Sequence, residues 1–490
     1  MPRKKDKKYP SSYTLYIPEN LDIDAMLATN PPDFKYDRDN FVYFASLPCS
    51  IMESYRNRDN EYELTLNTGY VPFYSRIMKQ KVDNYPLYLN YLMNNGVLES
   101  DGKFSHNSGK CLWYRFTLEY PTTPKPITIK RRSLIKQLIN RTHPNIEEEK
   151  EVLPATPLSE VPYLTKWFNP ALRIDKEKAI LFLQNLYQSD SAKKGVGYAQ
   201  RKHNSLMVSV LKIYNNDCSH NLNIDRKGRR FHSPLTNLKS ELRAYVTYEN
   251  KKMVSLDLKS SQPFFSLVLL DINPFDRCRV GDILSLYSDY LYLEDNDINS
   301  YIEKLRSLIK KGMQSVSTYK FKGNIIDGDF YEDTGIKIGT YFNQPFEEEI
   351  TAEGLKKQRD ITKKRIMIMQ YGKQIHQKFK SLFPDVYELF SLIKAKNHKV
   401  LAWVLQYIEA EILLYTVCPQ IAKENPDIPL FTIHDAIITT EEHAEYVKNR
   451  MIEIIQETVG FTPVIKPELW EEENTALLEL EEEIEEYIEE

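Results

Sequence analysis

The sequence predicts a mixed α+β fold, and three features predict it. Short alternating segments read as half-buried strands. In MVSLDL (253–258), Val254, Leu256 and Leu258 fall on one face, and Ser255 and Asp257 on the other. IPLFTIHDAIITT (428–440) reads as strand, two-residue turn, strand, with His434 and Asp435 at the turn, so part of the sheet is antiparallel. Longer segments, among them 179–187, 205–214, 302–311 and 359–372, carry apolar residues at the spacing of helix faces.

A chain of 490 residues with 42% hydrophobic content can bury substantial cores in two to four domains. No run of about 18 apolar residues is evident, and MPRKKDKKYP at the start is followed by no apolar stretch. No membrane partner is therefore expected, and the cytoplasm is the expected place of action. The five cysteines form no C-x-x-C pair, which argues for packing roles rather than a zinc site or a disulfide framework. Net charge is −4, but 467–490 holds twelve Glu and no Lys or Arg. Without that tail the remainder stands at +8, a basic body whose cations cluster at 3–8, 130–136, 226–230 and 356–380.

Taken in order, residues 1–120 read as an N-terminal α+β domain. Within it a helix ends at Asn95-Gly96, a strand follows at Val97-Leu98, Asp101-Gly102 turns, and 111–116 returns as a second strand. A helix with a two-stranded wing resembles a winged helix-turn-helix, and a small structural α+β domain is the other reading. Residues 121–162, with seven prolines and the acidic run 147–151, read as a linker interrupted by a basic helix. Residues 163–252 read as a helical, thumb-like region that ends in IDRKGRRF (224–231). There Asp225, Gly228 and Arg229 form D-x-x-G-R, with a glycine for a tight turn and cations able to grip phosphate. The core is placed at 253–466. In it 400–417 is apolar apart from Gln406, Glu409 and Glu411, which need partners wherever they are buried. Thr439 and Glu442 have capping-box spacing, and 461–465 reads as an edge strand. The tail, 467–490, reads as a solvated acidic segment, or as the docking point of a protein partner.

Three places carry chemistry. Asp257, flanked by two core leucines, is partly desolvated and needs a cation or a metal. Asp435 with His434 tips an apolar hairpin. In RDITKKRIMIMQYG (359–372), Arg359, Lys363, Met367 and Tyr371 recur every fourth residue and form one slanted stripe on a helix. A stripe running cation, cation, apolar, aromatic can hold a nucleoside triphosphate, and Gly372 leaves room for a nucleic-acid backbone. Two carboxylates on separate strands could hold two Mg²⁺ ions, with Mn²⁺ as a substitute, for metal-assisted phosphoryl transfer.

The ordered set of D-x-x-G-R, the strand carrying Asp257, the helix 359–372 and the hairpin at His434-Asp435 resembles the palm and fingers of family A DNA polymerases and phage-type single-subunit RNA polymerases. The resemblance covers roughly 225–465. It implies a right hand with an antiparallel palm sheet and helical fingers and thumb, acting on a DNA or RNA template-primer and nucleoside triphosphates. By resemblance Asp257, Asp435 and the carbonyl of Leu258 bind metal, and Arg359 and Lys363 bind the triphosphate. Tyr371 sits against the incoming nucleotide. Arg229 touches the template, Gln406 the duplex minor groove, and His434 the primer or product end. Gln262, five residues after Asp257, occupies the position that tells deoxynucleotides from ribonucleotides and leans towards DNA. Thr362-Lys363 and Met367 lean towards RNA. Lys259, Ser261 and Pro263 depart from both families. The spacings from Asp257 to Tyr371 and from Tyr371 to Asp435, 114 and 64 residues, imply reduced insertions. A phage or mobile-element setting fits by analogy. The alternatives are a single-subunit RNA polymerase, a primer-making enzyme or terminal transferase, and a noncatalytic DNA-binding replication or regulatory protein.

Overall fold

A computed structural model describes residues 9–50, 68–103, 111–120, 123–139, 156–217, 222–293, 297–326, 330–339, 352–372 and 377–472. The side chains of 352, 353 and 369–371 lie outside that description. The chain is mixed α+β, mostly helical, with antiparallel sheets. It divides into two compact units, and the chain crosses between them more than once. The first unit comprises 1–150, 173–221 and 237–245, and the second 151–172, 222–236 and 246–490. The stretch 163–252, read from sequence as one helical region, is thus shared between the two.

The first unit contains, in chain order, β1 (Tyr13–Pro18), α1 (Arg38–Ser50), β2 (Val71–Pro72), α2 (Ser75–Lys81), α3 (Tyr85–Asn94), β3 (Leu98–Ser100), β4 (Trp113–Phe116), β5 (Pro124–Ile129), α4 (Arg132–Ile139), α5 (Lys176–Lys194) and α6 (Val196–Tyr214). β1 pairs antiparallel with β5, while β4 lies between β2 and β3. The helix and wing expected from sequence correspond to α3, β3 and β4, and the tip of the wing, 104–110, lies outside the described residues. Phe41 and Phe44 of α1 pack with Tyr88 of α3, the Phe41 and Tyr88 ring centroids 4.7 Å apart. Asp39, nearly buried, accepts the amides of Lys130 and Arg131 at 2.6 and 2.7 Å, which ties the start of α1 to the junction of β5 and α4.

The second unit contains β6 (Asn223–Ile224), β7 (Phe231–His232), β8 (Val246–Tyr248), β9 (Lys251–Leu258), α7 (Ser261–Ser266), α8 (Asp297–Met313), α9 (Val316–Ile326), α10 (Phe330–Ile338), α11 (Ala352–Tyr371), α12 (Pro384–Lys394), α13 (Lys399–Ile412), β10 (Phe431–Ile433), β11 (Ala436–Thr440), α14 (Ala444–Val459) and β12 (Ile465–Leu469). β9 is central. It pairs antiparallel with β11 along 253–257 and with β12 along 254–258, and β10 flanks β11. α14 packs against this sheet.

Several elements differ from the sequence expectation. The returning edge strand is β12, four residues later than 461–465, so the first residues of the acidic stretch belong to the sheet, and Trp470 adds a further amide bond to the Met253 carbonyl at 2.9 Å. Pro467 is tolerated there because an edge strand need not donate on its outer side. The capping box does not form: a 3₁₀ turn, Glu441–His443, separates Thr440 from α14, which has no side-chain cap. The apolar segment 400–417 runs through α13, a π-turn at Leu413–Val417 and a further helix, Cys418–Glu424. As one helix, Lys399–Glu424 is long and apolar enough to cross a membrane, contrary to the reading that no such run exists. With 72% of its most apolar window buried inside the protein, it is the core helix of this unit. Cys49, Cys111, Cys278 and Cys418 are buried, in keeping with packing roles, and Cys218 lies outside the described residues.

Candidate active site

All the chemistry-bearing residues predicted from sequence fall in the second unit. Asp257 is the penultimate residue of β9. The Ser255 hydroxyl donates to its carboxylate at 2.8 Å, as two residues on the same face of a strand can. The register sets Asp257 opposite Ala436, so Asp435 follows one residue beyond it, in the turn that joins β10 to β11. His434 adopts φ +51°, and this left-handed residue makes the tight reversal that brings Asp435 to the end of β9. His434 is exposed and Asp435 half-buried. Leu258 is the last residue of β9 and is buried.

The loop after Asp257 is strained and under-satisfied. Ser260 has φ +53°, its hydroxyl is buried, and the amide oxygen of Gln262 is buried too. Neither atom has a hydrogen-bond partner among the described residues. A left-handed serine and two orphaned polar atoms thus lie close in sequence to the half-buried Asp257 carboxylate.

Gln262 and Arg230 meet on Glu409, a residue of α13 that is 1% exposed. Arg230 donates to its carboxylate through Nε and Nη2 at 2.8 and 2.7 Å, and the Gln262 amide donates to the other oxygen. Burial pushes the Glu409 carboxyl up to about 7 against the pull of Arg230, and the nearby charge of Asp435 adds to the rise. The Gln262 Nε2 faces Glu409, so the side chain is held against α13 and is only 8% exposed.

The D-x-x-G-R residues form the turn between β6 and β7. Asp225 accepts the amides of Lys227, Gly228 and Arg230 at 2.6 to 2.9 Å. Burial alone would raise its pKa, but His232 and the Gly228 and Arg230 amides hold it below the usual carboxylate range. The left-handed residue is Arg229 (φ +53°), not the glycine. Gly228 is needed for another reason: a Cβ there would meet the Gln406 Cβ and Oε1 at 2.9 Å. Gly228→Ala is expected to push the hairpin off α13 at a cost of roughly 1–3 kcal/mol, measured as a lower urea midpoint.

Arg229 is occupied within the protein. It contacts Glu160 at 2.9 Å, Glu411 at 3.2 Å and the Tyr407 hydroxyl at 2.9 Å, and lies 4.1 Å over the Tyr415 ring. This side chain, expected to touch a template, here engages Nη1 and Nη2 with two carboxylates and the Tyr407 hydroxyl, while its buried Nε has no partner among the described residues. Gln406 is half-buried against Gly228.

On α11 the buried stripe is Gln358, Thr362 and Ile366. The adjacent stripe is the predicted cationic one. Arg359 lies over the Tyr331 ring of α10 at 5.2 Å, Lys363 is exposed, and Met367 is 41% exposed. The Tyr371 side chain lies outside the described residues. Gly372 closes the helix with its amide on the Ile368 carbonyl at 2.6 Å, and a Cβ there would fall at the same distance from that oxygen. α11 packs on α13, and α13 packs on α7, which follows Asp257.

Sequence reasoning missed Arg230, Ser260 and the central role of Glu409. Among the described residues no group of three or more His, Cys, Asp or Glu side chains is arranged to hold a metal ion. Two carboxylates can still suffice for Mg²⁺, which keeps several waters and takes the rest of its oxygens from substrate phosphates.

A carboxylate pair at the end of an antiparallel sheet, in a unit that also holds a cationic helix packed on α13, defines a candidate phosphoryl-transfer site. No protein-family profile matches the chain, and neither does any curated protein. Among solved structures the chain is similar to the polymerase domain of Pol1 from M. smegmatis, determined in complex with a DNA primer-template and dNTP. The match, a family A DNA polymerase domain, has 12% sequence identity and a TM-score of 0.27, and covers 58% of this chain and 55% of that one. So loose a superposition places no residue, and the functional reading rests on the geometry above.

Proposed function

We propose that the chain is a Mg²⁺-dependent, template-directed nucleic-acid polymerase that adds nucleotides to a 3′-hydroxyl. The observation that carries this reading is the register of β9 and β11, which brings Asp257 and Asp435 to one end of the sheet from distant parts of the chain. The carboxylates of Asp257 and Asp435, with the Leu258 carbonyl, are the groups that would hold the metal. When bound, Mg²⁺ supplies Lewis-acid activation of the hydroxyl and neutralises the departing pyrophosphate. Lys363 and Arg359 meet the triphosphate charge, and Met367, Tyr371 and Gly372 complete the nucleotide side of α11. His434 stands at the hairpin tip for the primer end. Gln406, half-buried against Gly228, is the residue offered to the duplex minor groove. DNA synthesis is the favoured branch. The two orphaned polar atoms of 260–262 support a substrate seated beside Asp257.

Extension of a labelled primer on a defined template with Mg²⁺ tests the reading, with dNTPs and NTPs offered separately. Template-matched products are expected, dNTPs being the better substrates. With Lys363→Ala the KM for the triphosphate is expected to rise about ten- to hundredfold, the worth of one charge-assisted contact. Intact DNA binding with no incorporation of either nucleotide set would overturn the assignment in favour of a noncatalytic DNA-binding protein.

A further inference from the structure

We propose that the first unit carries its own docking surface for a nucleic-acid phosphate backbone, built on α2 (SRIMKQK) and α4 (RSLIKQLI). The two helices pack together, burying Met78, Leu134 and Ile135. Their outer faces expose Arg76, Lys79, Arg132 and Lys136. Neither helix contains an Asp or a Glu. An ordinary solvated helix intersperses both signs and gains from pairs four residues apart, whereas a single-sign face repels itself. That repulsion is relieved when an anion lies along it.

A fifth cation, Lys81, is drawn in between the helices. Its ammonium donates to the Gln137 carbonyl in the last turn of α4, and burial lowers its pKa. Lys81 thus joins the two helices. No large apolar side chain is exposed on either helix, so the face lacks the wedge by which amphipathic helices enter a membrane. The surface is also the reverse of a helix-and-wing contact. α3, the helix that precedes the wing, is YPLYLNYLMN and carries no charge, so the grip on phosphate passes to its neighbours. Contacts of this kind fix position on a nucleic acid without reading its sequence.

The test is fluorescence anisotropy of the full chain with a labelled DNA duplex, across a salt series. Reversing the four exposed cations together (R76E, K79E, R132E, K136E) is expected to weaken binding about a hundredfold or more at 0.1 M salt. The slope of log affinity against log salt should fall by roughly three to four, near 0.9 per phosphate contact. A matched set of four Gln substitutions should give half of that effect or more, and guards against misfolding of the reversal variant, which circular dichroism checks. Unchanged affinity and slope in both sets would overturn the proposal. So would equal loss of binding to poly-glutamate at the same charge, which would make the occupant an acidic protein. The anisotropy is read without Mg²⁺ or nucleotide, so this surface stands or falls separately from the catalytic reading.

Discussion

Asp257→Ala and Asp435→Ala are each expected to reduce nucleotide incorporation about a thousandfold or more while leaving the fold in place. Such a loss corresponds to roughly 4 kcal/mol of transition-state stabilisation, the scale expected when a ligand to a catalytic metal is removed. The fold should survive because neither carboxylate holds the sheet together. The bonds along β9 are backbone bonds, and the Ser255 hydroxyl that bonds the Asp257 carboxylate lies two residues away on the same strand. Single-turnover primer extension measures the first quantity and thermal unfolding the second. The two substitutions combined should cost little more than either alone, since the carboxylates act as a unit. Ser255→Ala, which only orients Asp257, should lose less than about tenfold, the worth of one neutral hydrogen bond. Near-wild-type incorporation by the Asp435 variant would remove the basis for the proposed function.

How much of this was legible in the sequence depends on how local the signal was. The strand at Asp257 was readable because alternation is a two-residue pattern, and the hairpin at His434-Asp435 because two polar residues interrupt a run of strand formers. The cationic stripe on α11 was readable from its four-residue spacing. The position of β12 was not, since the register that pairs Leu258 with Ile465 and Leu256 with Pro467 is set by the central strand rather than by 461–469 itself. Gly228 was assigned to a turn because glycine most often serves turns, yet its cause is Gln406, 178 residues away along the chain. Arg229 was read as presented to a template because the partners that occupy it, Glu160, Tyr407, Glu411 and Tyr415, come from remote segments. The polar interruption of α13 did warn that Glu409 needed partners. Which ones it found, Arg230 and Gln262, is a tertiary fact.

Glu409 yields the second large effect, and its size differs between two substitutions. A carboxyl raised from 4.5 to about 7 binds its proton more tightly in the folded protein than in the unfolded chain. Its contribution to stability is therefore full below about pH 4.5 and is lost as pH rises to about 7, a fall of roughly 3 kcal/mol. Glu409→Gln keeps the shape, stays neutral and removes this slope. Near pH 8 that variant should be less stable than the unaltered protein, because the Arg230 charge loses its carboxylate, yet more stable than Glu409→Ala, because an amide oxygen is still there to accept. Glu409→Ala should be less stable by about 3–5 kcal/mol, since it leaves Arg230 and Gln262 facing a cavity with no acceptor. Urea unfolding followed by tryptophan fluorescence from pH 4.5 to 8 separates these outcomes. If the Gln variant and the unaltered chain share one pH profile, Glu409 does not titrate between those limits. Incorporation by the Gln variant carries separate information, because Gln262 follows Asp257 by five residues and is held in place by Glu409. If that contact positions the loop beside Asp257, the Gln variant loses incorporation at temperatures where unfolding shows it fully folded.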